Sequence, residues 1–279
     1  MRELKGMPVA KAMLEKLEKE VNKLEEKGIV PKLAIVRVGE REDDLSYERG
    51  IYKRFAAAKA LVETTVLSLE VTQEKLEKVI QGLNQDECVH GILVFRPLPE
   101  HLDEKRIADL VAPAKDVDCM TMANAAHVFA GDKLGYPPCT PQAVVEILDH
   151  YGIEVCGKKV TVVGRSMVVG RPLSMLLLQK HATVTICHTR TENLEEECRQ
   201  ADILITCAGA PKMITGVHVK QGQVVIDVGI HAQEDGLCGD VDYAAVSEQV
   251  EAITPVPGGV GSVTTTVLLK HVVESAVHK

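Results

Sequence analysis

The sequence predicts an α/β fold of two domains, each built on parallel strands with helical crossovers. Three observations predict it. Short continuous apolar runs ending in Gly or Pro alternate with helical stretches, as expected for strands buried on both faces of a sheet. The alternation occurs twice, on either side of a Pro-rich break, GYPPCTP at 135–141. The chain has 279 residues, a length that suits two domains better than one.

The first series opens with a helix, because Leu14, Leu17, Val21 and Leu24 form one apolar stripe that Gly28 ends. The stripe is too short to favour a coiled coil. LAIVRVG (33–39) reads as a buried strand, 44–60 as a helix and 64–70 as a strand. QEKLEKVIQGL (73–83) is a helix, and GILVF (91–95) a buried strand closed by PLP. A connecting helix leaves the Pro-rich break and runs to about residue 151. In the second series KKVTVVG (158–164) is a strand and RPLSMLLLQK (171–180) a helix with Pro in its first turn. ATVTIC (182–187), DILITC (202–207) and QVVIDVG (223–229) are strands, and NLEEECRQ (193–200) is a helix. ITPVPGGVGSVTTT (253–266) reads as a Gly/Pro loop, followed by a last helix to about 277 that packs back on the first domain. The expected domains are therefore 1–138 plus 266–279, and 139–265.

Composition excludes several function classes. Trp is absent, aromatic residues make up 3%, and the formal charge is −8, so neither base stacking nor a phosphate-backbone footprint is expected and no nucleic acid is a partner. No run approaches the roughly 20 apolar residues that span a bilayer, and no secretory leader opens the chain, so no membrane is expected. The eight cysteines form no CxxC pair and sit in apolar segments, which fits buried thiols in the cytoplasm. Asp116 and Asp118 lack a third ligand, and the histidines show no ligand spacing, so no metal is expected. Asp240 and Asp242 in GDVD read as turn-shaping residues.

VTVVGRSMVVGRP (160–172) is strand, Gly turn, helix, a placement that turns backbone N–H groups and a helix N-terminus toward a phosphate. The spacing is Gly164, five residues, Gly170, rather than G-x-G-x-x-G, so on the glycines alone a plain βα turn is as good a reading. The next strand breaks the tie. It ends ICHTRTEN, with His188, Thr189 and Arg190 and no acid at the tip. An acid there would bind ribose hydroxyls and repel a 2′-phosphate, whereas Arg165 and Arg190 pair with one. The expected cofactor is NADP, with NAD as the alternative.

At the other end, Asp118 in PAKDVD is a candidate acceptor for an aminopyrimidine-like edge, although an aspartate that caps a loop is the commoner case. GILV-x-x-PLP, PAKDVD, PPCTP, VVGRSMVVGRP, TVTICHTRT, ADILITCAGAP, VVIDVGI, GDVD and TPVPGGVGSVT occur in one order. Together they closely resemble the 5,10-methylenetetrahydrofolate dehydrogenase/5,10-methenyltetrahydrofolate cyclohydrolase family, from about Val36 to the final helix. The resemblance implies a homodimer with tetrahydrofolate substrates bound in a cleft between an N-terminal substrate domain and a Rossmann-type nucleotide domain. It maps substrate contacts to Tyr47, Leu98, Pro99, Asp118, Pro257, Gly258 and Gly259. It maps cofactor contacts to Gly164, Arg165, Ser166, Val169, Gly170, His188, Thr189, Arg190, Ala208, Gly209, Ile230 and Thr264.

The sequence departs from the family pattern at three positions of one site. The family carries Lys four residues after the Tyr, where this chain has Ile51; a Ser before the Tyr is Asp44, and a Gln before PLP is Phe95. The nearest cations are Lys53 and Arg54; Arg54, seven residues after Tyr47, shares its helix face. Hydride transfer needs ring orientation and no proton transfer, so the dehydrogenase step tolerates this loss. Hydrolysis of the methenyl product needs an acid/base group, which Ile51 cannot be. Three readings stay open: a dehydrogenase with weak or absent cyclohydrolase activity, a bifunctional enzyme using Tyr47 with Lys53 or Arg54, and a folate-binding protein without turnover.

Overall fold

The structure, a computed structural model, describes residues 1–132, 134–233 and 236–278; Lys279, the expected limit of the first domain, lies outside them. The elements run β1 (Arg2–Glu3), α1 (Gly6–Glu25), β2 (Lys32–Val38), α2 (Glu42–Ala57), β3 (Leu61–Leu67), α3 (Gln73–Gln85), β4 (Gly91–Val94), α4 (Glu104–Leu110), α5 (Met122–Ala130) and α6 (Cys139–His150). They continue with β5 (Lys159–Val163), α7 (Gly170–Gln179), β6 (Thr183–Cys187), α8 (Leu194–Gln200), β7 (Ile203–Thr206), β8 (Val224–Asp227), β9 (His231–Gln233), β10 (Gly236–Cys238), α9 (Tyr243–Ser247), β11 (Ala252–Ile253) and α10 (Gly261–Val277). The chain divides into two compact units. One comprises Ala12–Cys139 and the chain from Thr265 onward, the other Met1–Lys11 and Thr140–Thr264.

The first unit, here the substrate unit, is built on a parallel sheet in the order β3-β2-β4. Central β2 is buried from Leu33 to Val38, which is why its sequence is a continuous apolar run. The one charge within that buried run, Arg37, is neutralised by Glu48 of α2 at 2.9 Å. Thr72 caps α3 by accepting from the Lys75 N–H at 3.3 Å. Leu76 and Ile80 of α3 then pack with Val36, Ile92 and Ile107 in one core. The last helix packs on this unit: Val272 lies against Gly91, and Ser275 donates to the Ala114 carbonyl at 3.1 Å.

The second unit, the nucleotide unit, holds a parallel sheet in the order β1-β11-β8-β7-β5-β6. From β5 the chain steps outward to β6, then returns to lay β7 on the other side of β5. The strand order therefore reverses at β5 and β7, the place where open parallel sheets bind ligands at the strands' carboxyl ends. Val163, Leu204, Val225 and Ile253 form the core beneath, with Cys187 and Cys198 buried among them.

The structure corrects two boundaries. The strand expected at 64–70 is Leu61–Leu67: Leu61 donates to the Pro31 carbonyl, and Leu67 pairs with Val38 where β2 ends. Its exposed Leu61 and Val66 broke the apolar signal, as happens on an edge strand. The Gly/Pro loop ends early, because α10 starts at Gly261. Val263, Thr266 and Val267 are fully buried, and that burial outweighs the poor helix propensity of the Thr run. Residues 1–11 cluster with the second unit, because Arg2 and Glu3 pair with Ala252 and Ile253.

Gly6 marks that junction. It donates to the Gly258 carbonyl at 2.8 Å, and a Cβ there would overlap the Gly259 carbonyl, a backbone atom that cannot swing aside. Gly6→Ala is expected to lower stability by about 1–3 kcal/mol, the usual cost of overpacking. Thermal unfolding checks this; an unchanged Tm would show that the Pro257–Gly259 loop yields freely.

Candidate active site

The candidate nucleotide cradle is made by two close approaches of backbone. Gly164, at φ 129°, follows β5, and a Cβ there would strike the Cys207 carbonyl and, at 2.7 Å, its Sγ. Gly170 opens α7, and its Cβ would overlap the Gly164 carbonyl. The ends of β5, β7 and α7 thus meet with no room for a methyl group. That is the purpose the usual glycine fingerprint serves, reached here with another spacing. Ser166 Oγ accepts from the Val169 N–H at 3.1 Å and shapes the turn. Arg165 and Ser166 are exposed there. At the tip of β6, Thr189 and Arg190 are exposed, and His188 Nδ1 accepts from the Arg190 N–H at 3.1 Å. Ala208, Gly209 and Ile230 are exposed at the ends of β7 and β8. Thr264 lies instead in the first turn of α10, donating to the Gly261 carbonyl at 3.2 Å. Burial pushes the Cys207 thiol up to about 12, so it stays protonated beside the cradle.

Two carboxylates behind this cradle escaped sequence reasoning. Asp240 does more than shape a turn. It is completely buried and accepts from the N–H groups of Ala208, Gly209 and Ala210 at 2.7, 3.3 and 3.1 Å, and pairs with His231 Nε2 at 2.8 Å. Asp227, at the end of β8, accepts from the N–H groups of Gly229, Asp240 and Val241 at 2.9–3.0 Å. Burial outweighs those donors and pushes the Asp227 carboxyl up to about 6. Gly229 and Gly239 leave room for these carboxylates, since a Cβ at either would collide with one. Acidic residues flanked by glycine at strand ends were the available signal. Asp242, by contrast, caps α9 as its turn position suggested, accepting from the Ala245 N–H.

In the substrate unit, the register of α2 decides which side chains share a face. Tyr47, Gly50, Ile51 and Arg54 lie along one stripe, and Arg54 is about 20° from Tyr47 around the helix axis. Ile51 is completely buried, so an aliphatic side chain fills the position expected to carry an amine. Lys53 lies about 120° off the stripe and is exposed. Arg54 is half-buried, and its Nε, itself buried, has no hydrogen-bond partner among the described residues. Asp44 is engaged by Arg41, bidentate at 2.8 and 3.1 Å, and Arg41 also donates to the Arg96 carbonyl.

Phe95 is buried, and its ring stands 5.8 Å from that of Tyr47. Tyr47 keeps 36% exposure, yet enough protein surrounds it that burial, then the charges of Cys139 and Asp118, raises its phenol well above the ordinary value. Asp118 accepts from the Cys139 N–H at 2.8 Å. Burial raises its carboxyl above the usual range, against the lowering effect of that bond. The structure therefore brings Tyr47, Phe95 and Asp118 together.

The loop that carries Asp118 is anchored by Asp116 and Lys115, to which the sequence reading gave no structural role. Buried Asp116 accepts from the N–H groups of Met120 and Thr121, from the Thr121 hydroxyl and from Asn124 Nδ2, at 2.7–3.0 Å. Lys115 donates to the carbonyls of Leu83, Asn84 and Asp86. Leu98 and Pro99 are half-buried after β4. Pro257, Gly258 and Gly259 belong to the nucleotide unit, where Gly258 takes φ 105°. Among the described residues no three His, Cys, Asp or Glu side chains stand where they could hold a metal ion, and no helix is long and apolar enough to cross a membrane.

Comparison with known proteins agrees with this geometry. Residues 4–118 match the model of the tetrahydrofolate dehydrogenase/cyclohydrolase catalytic domain, and residues 138–279 that of the NAD(P)-binding domain of the same family. The bifunctional protein FolD of Clostridioides difficile (strain 630) is 56% identical over 273 residues, covering 98% of this chain and 95% of that one. The FolD protein of Carboxydothermus hydrogenoformans is 51% identical, covering 98% and 96%. Among solved structures, the bifunctional FolD enzyme of Campylobacter jejuni superposes with a TM-score of 0.97 at 37% identity, covering 100% of this chain and 99% of that one. The Trypanosoma brucei enzyme, solved with NADP and an inhibitor, gives 0.92 at 37% identity, covering 98% and 96%.

Proposed function

The chain belongs to the tetrahydrofolate dehydrogenase/cyclohydrolase family, and we propose that it oxidises 5,10-methylenetetrahydrofolate to 5,10-methenyltetrahydrofolate by hydride transfer to NADP. The observation that carries this reading is the Gly164–Gly170 cradle at the strand-order reversal, in a chain whose other unit gathers Tyr47, Phe95 and Asp118. The residues fit the cofactor: the cradle admits a backbone-bound pyrophosphate, and exposed Arg165 and Arg190, with no acid at the β6 tip, suit a 2′-phosphate. When bound, the nicotinamide ring supplies the hydride acceptor.

The protein's own residues bind and orient. Asp118, ionised, accepts two hydrogen bonds from the aminopyrimidine edge of the pterin and fixes its rotation. Tyr47 and Phe95 offer ring faces to the flat part of the substrate. The positive charge left on the substrate is shared by its own two nitrogens, so no side chain needs to take a proton.

Hydrolysis of the methenyl product is the second family activity, and we propose that it is weak here. The α2 register supports this: Ile51 is buried on the Tyr47 face and Lys53 lies off it. Arg54 favours the bifunctional alternative, because its Nε is unpaired and it shares the Tyr47 stripe. We also assign the protein to the cytoplasm, which its eight free thiols suit, and to a homodimer. Edge strand β3 supports the dimer by exposing Leu61 and Val66, with Tyr52 and Leu69 exposed nearby.

Three outcomes are expected. Purified protein reduces NADP in the presence of methylenetetrahydrofolate, faster than NAD at matched concentration; no reduction of either overturns the dehydrogenase reading. Methenyltetrahydrofolate decays little faster with the enzyme than in buffer, since a positioned acid/base group is worth about 10²–10⁴-fold. A large acceleration that Arg54→Ala removes would give Arg54 the missing role. Thirdly, Asp118 accepts from the pterin only when ionised, and its raised carboxyl makes that form complete above the raised value and lost as pH falls through it. The folate KM should climb as pH falls through that raised value, sooner on acidification than an ordinary aspartate would give. In Asp118→Asn it should be about tenfold higher and insensitive to pH.

A further inference from the structure

The Ala208–Ala210 loop lies at the strand-order reversal, where a nucleotide is expected to supply phosphates, yet its N–H groups turn away from solvent. All three point at Asp240. In a trans peptide the preceding carbonyl points the opposite way. The carbonyls of Cys207, Ala208 and Gly209 are therefore directed away from the carboxylate, and that of Cys207 does lie against Gly164, across the cradle. Gly209, at φ 71°, makes the turn possible. Asp240 is held in turn, its own N–H donating to Asp227 at 3.0 Å and its Oδ1 lying 2.8 Å from His231 Nε2.

We propose that Asp240 is a positioning residue for the pyridine nucleotide: by taking up three amide donors it makes the β7 loop a row of acceptors. Such a loop repels phosphate and selects donors, namely the hydroxyls of the ribose and the carboxamide of the base on the nicotinamide side. The inference rests on nucleotide binding at this crevice. The exposed arginine at the tip of β6, Arg190, suits the adenosine 2′-phosphate, which leaves the β7 side for the other half of the molecule.

The test compares Asp240→Asn with the parent protein by titration calorimetry, using NADP and 2′,5′-ADP, which carries only the adenosine half. Asn keeps one acceptor and sets an NH₂ group against the loop's N–H groups, so the loop must turn. NADP binding is expected to weaken about tenfold while 2′,5′-ADP binding stays within about twofold. Equal weakening of both ligands, or no change in NADP, overturns the proposal, because a merely structural role would not separate the two halves. If Asp240→Asn does not fold, His231→Ala removes one of the four bonds to the carboxylate and should weaken NADP about threefold with the fragment unchanged. No effect, or an equal effect on both, overturns it likewise. Failure of the parent protein to bind NADP would instead reject the nucleotide reading itself.

Discussion

Buried carboxylates that collect backbone N–H groups hold both functional loops in place. An ionised carboxylate removed from water is costly unless its oxygens are satisfied, and hydrogen bonds to a charge are stronger than neutral ones. A loop that offers several amides to one carboxylate therefore has one stable shape. In the substrate unit Asp116 closes the segment that carries Asp118. In the nucleotide unit Asp227 and Asp240 act in series, joining the ends of β7 and β8 to the β9–β10 hairpin. The glycines at 229 and 239 follow from the same constraint, since each leaves space that a carboxylate occupies.

This arrangement separates saturated carboxylates from one that is left partly open. Asp116 is saturated by donors, whereas Asp118, two residues later, is only half-buried and keeps a raised carboxyl. KDVD thus carries one fully bonded anchor, Asp116, and one half-buried carboxylate, Asp118, in a single short motif. The same division runs through α2, where Ile51 and Phe55 fix the helix in the core and Tyr47 stands at the margin beside Phe95.

Parts of the candidate site were legible in the sequence. The cradle was readable because a strand, a Gly turn and a helix in succession leave few geometries, and the absence of an acid after β6 is a matter of composition. Tyr47 and Ile51 were readable as one helix face from spacing alone. Asp240 was not, because a turn aspartate and a buried amide collector look alike in a sequence. The edge strand β3 and the Thr-rich start of α10 were misjudged at their boundaries for a related reason: local propensity was overruled by partners far away in the chain.

By itself the sequence determined two βα series, a glycine cradle with basic rather than acidic company, and an aliphatic residue where an amine would serve hydrolysis. Those are properties of residue type and spacing, which periodicity exposes directly. Only the tertiary structure decided that Arg2 and Glu3 close the nucleotide sheet, that Lys53 faces outward while Arg54 Nε is left unpaired, and that Asp240 rather than a phosphate receives the β7-loop amides. Each of those depends on burial and hydrogen bonding between segments distant in sequence, and burial is a property of the packed chain, not of any residue in it.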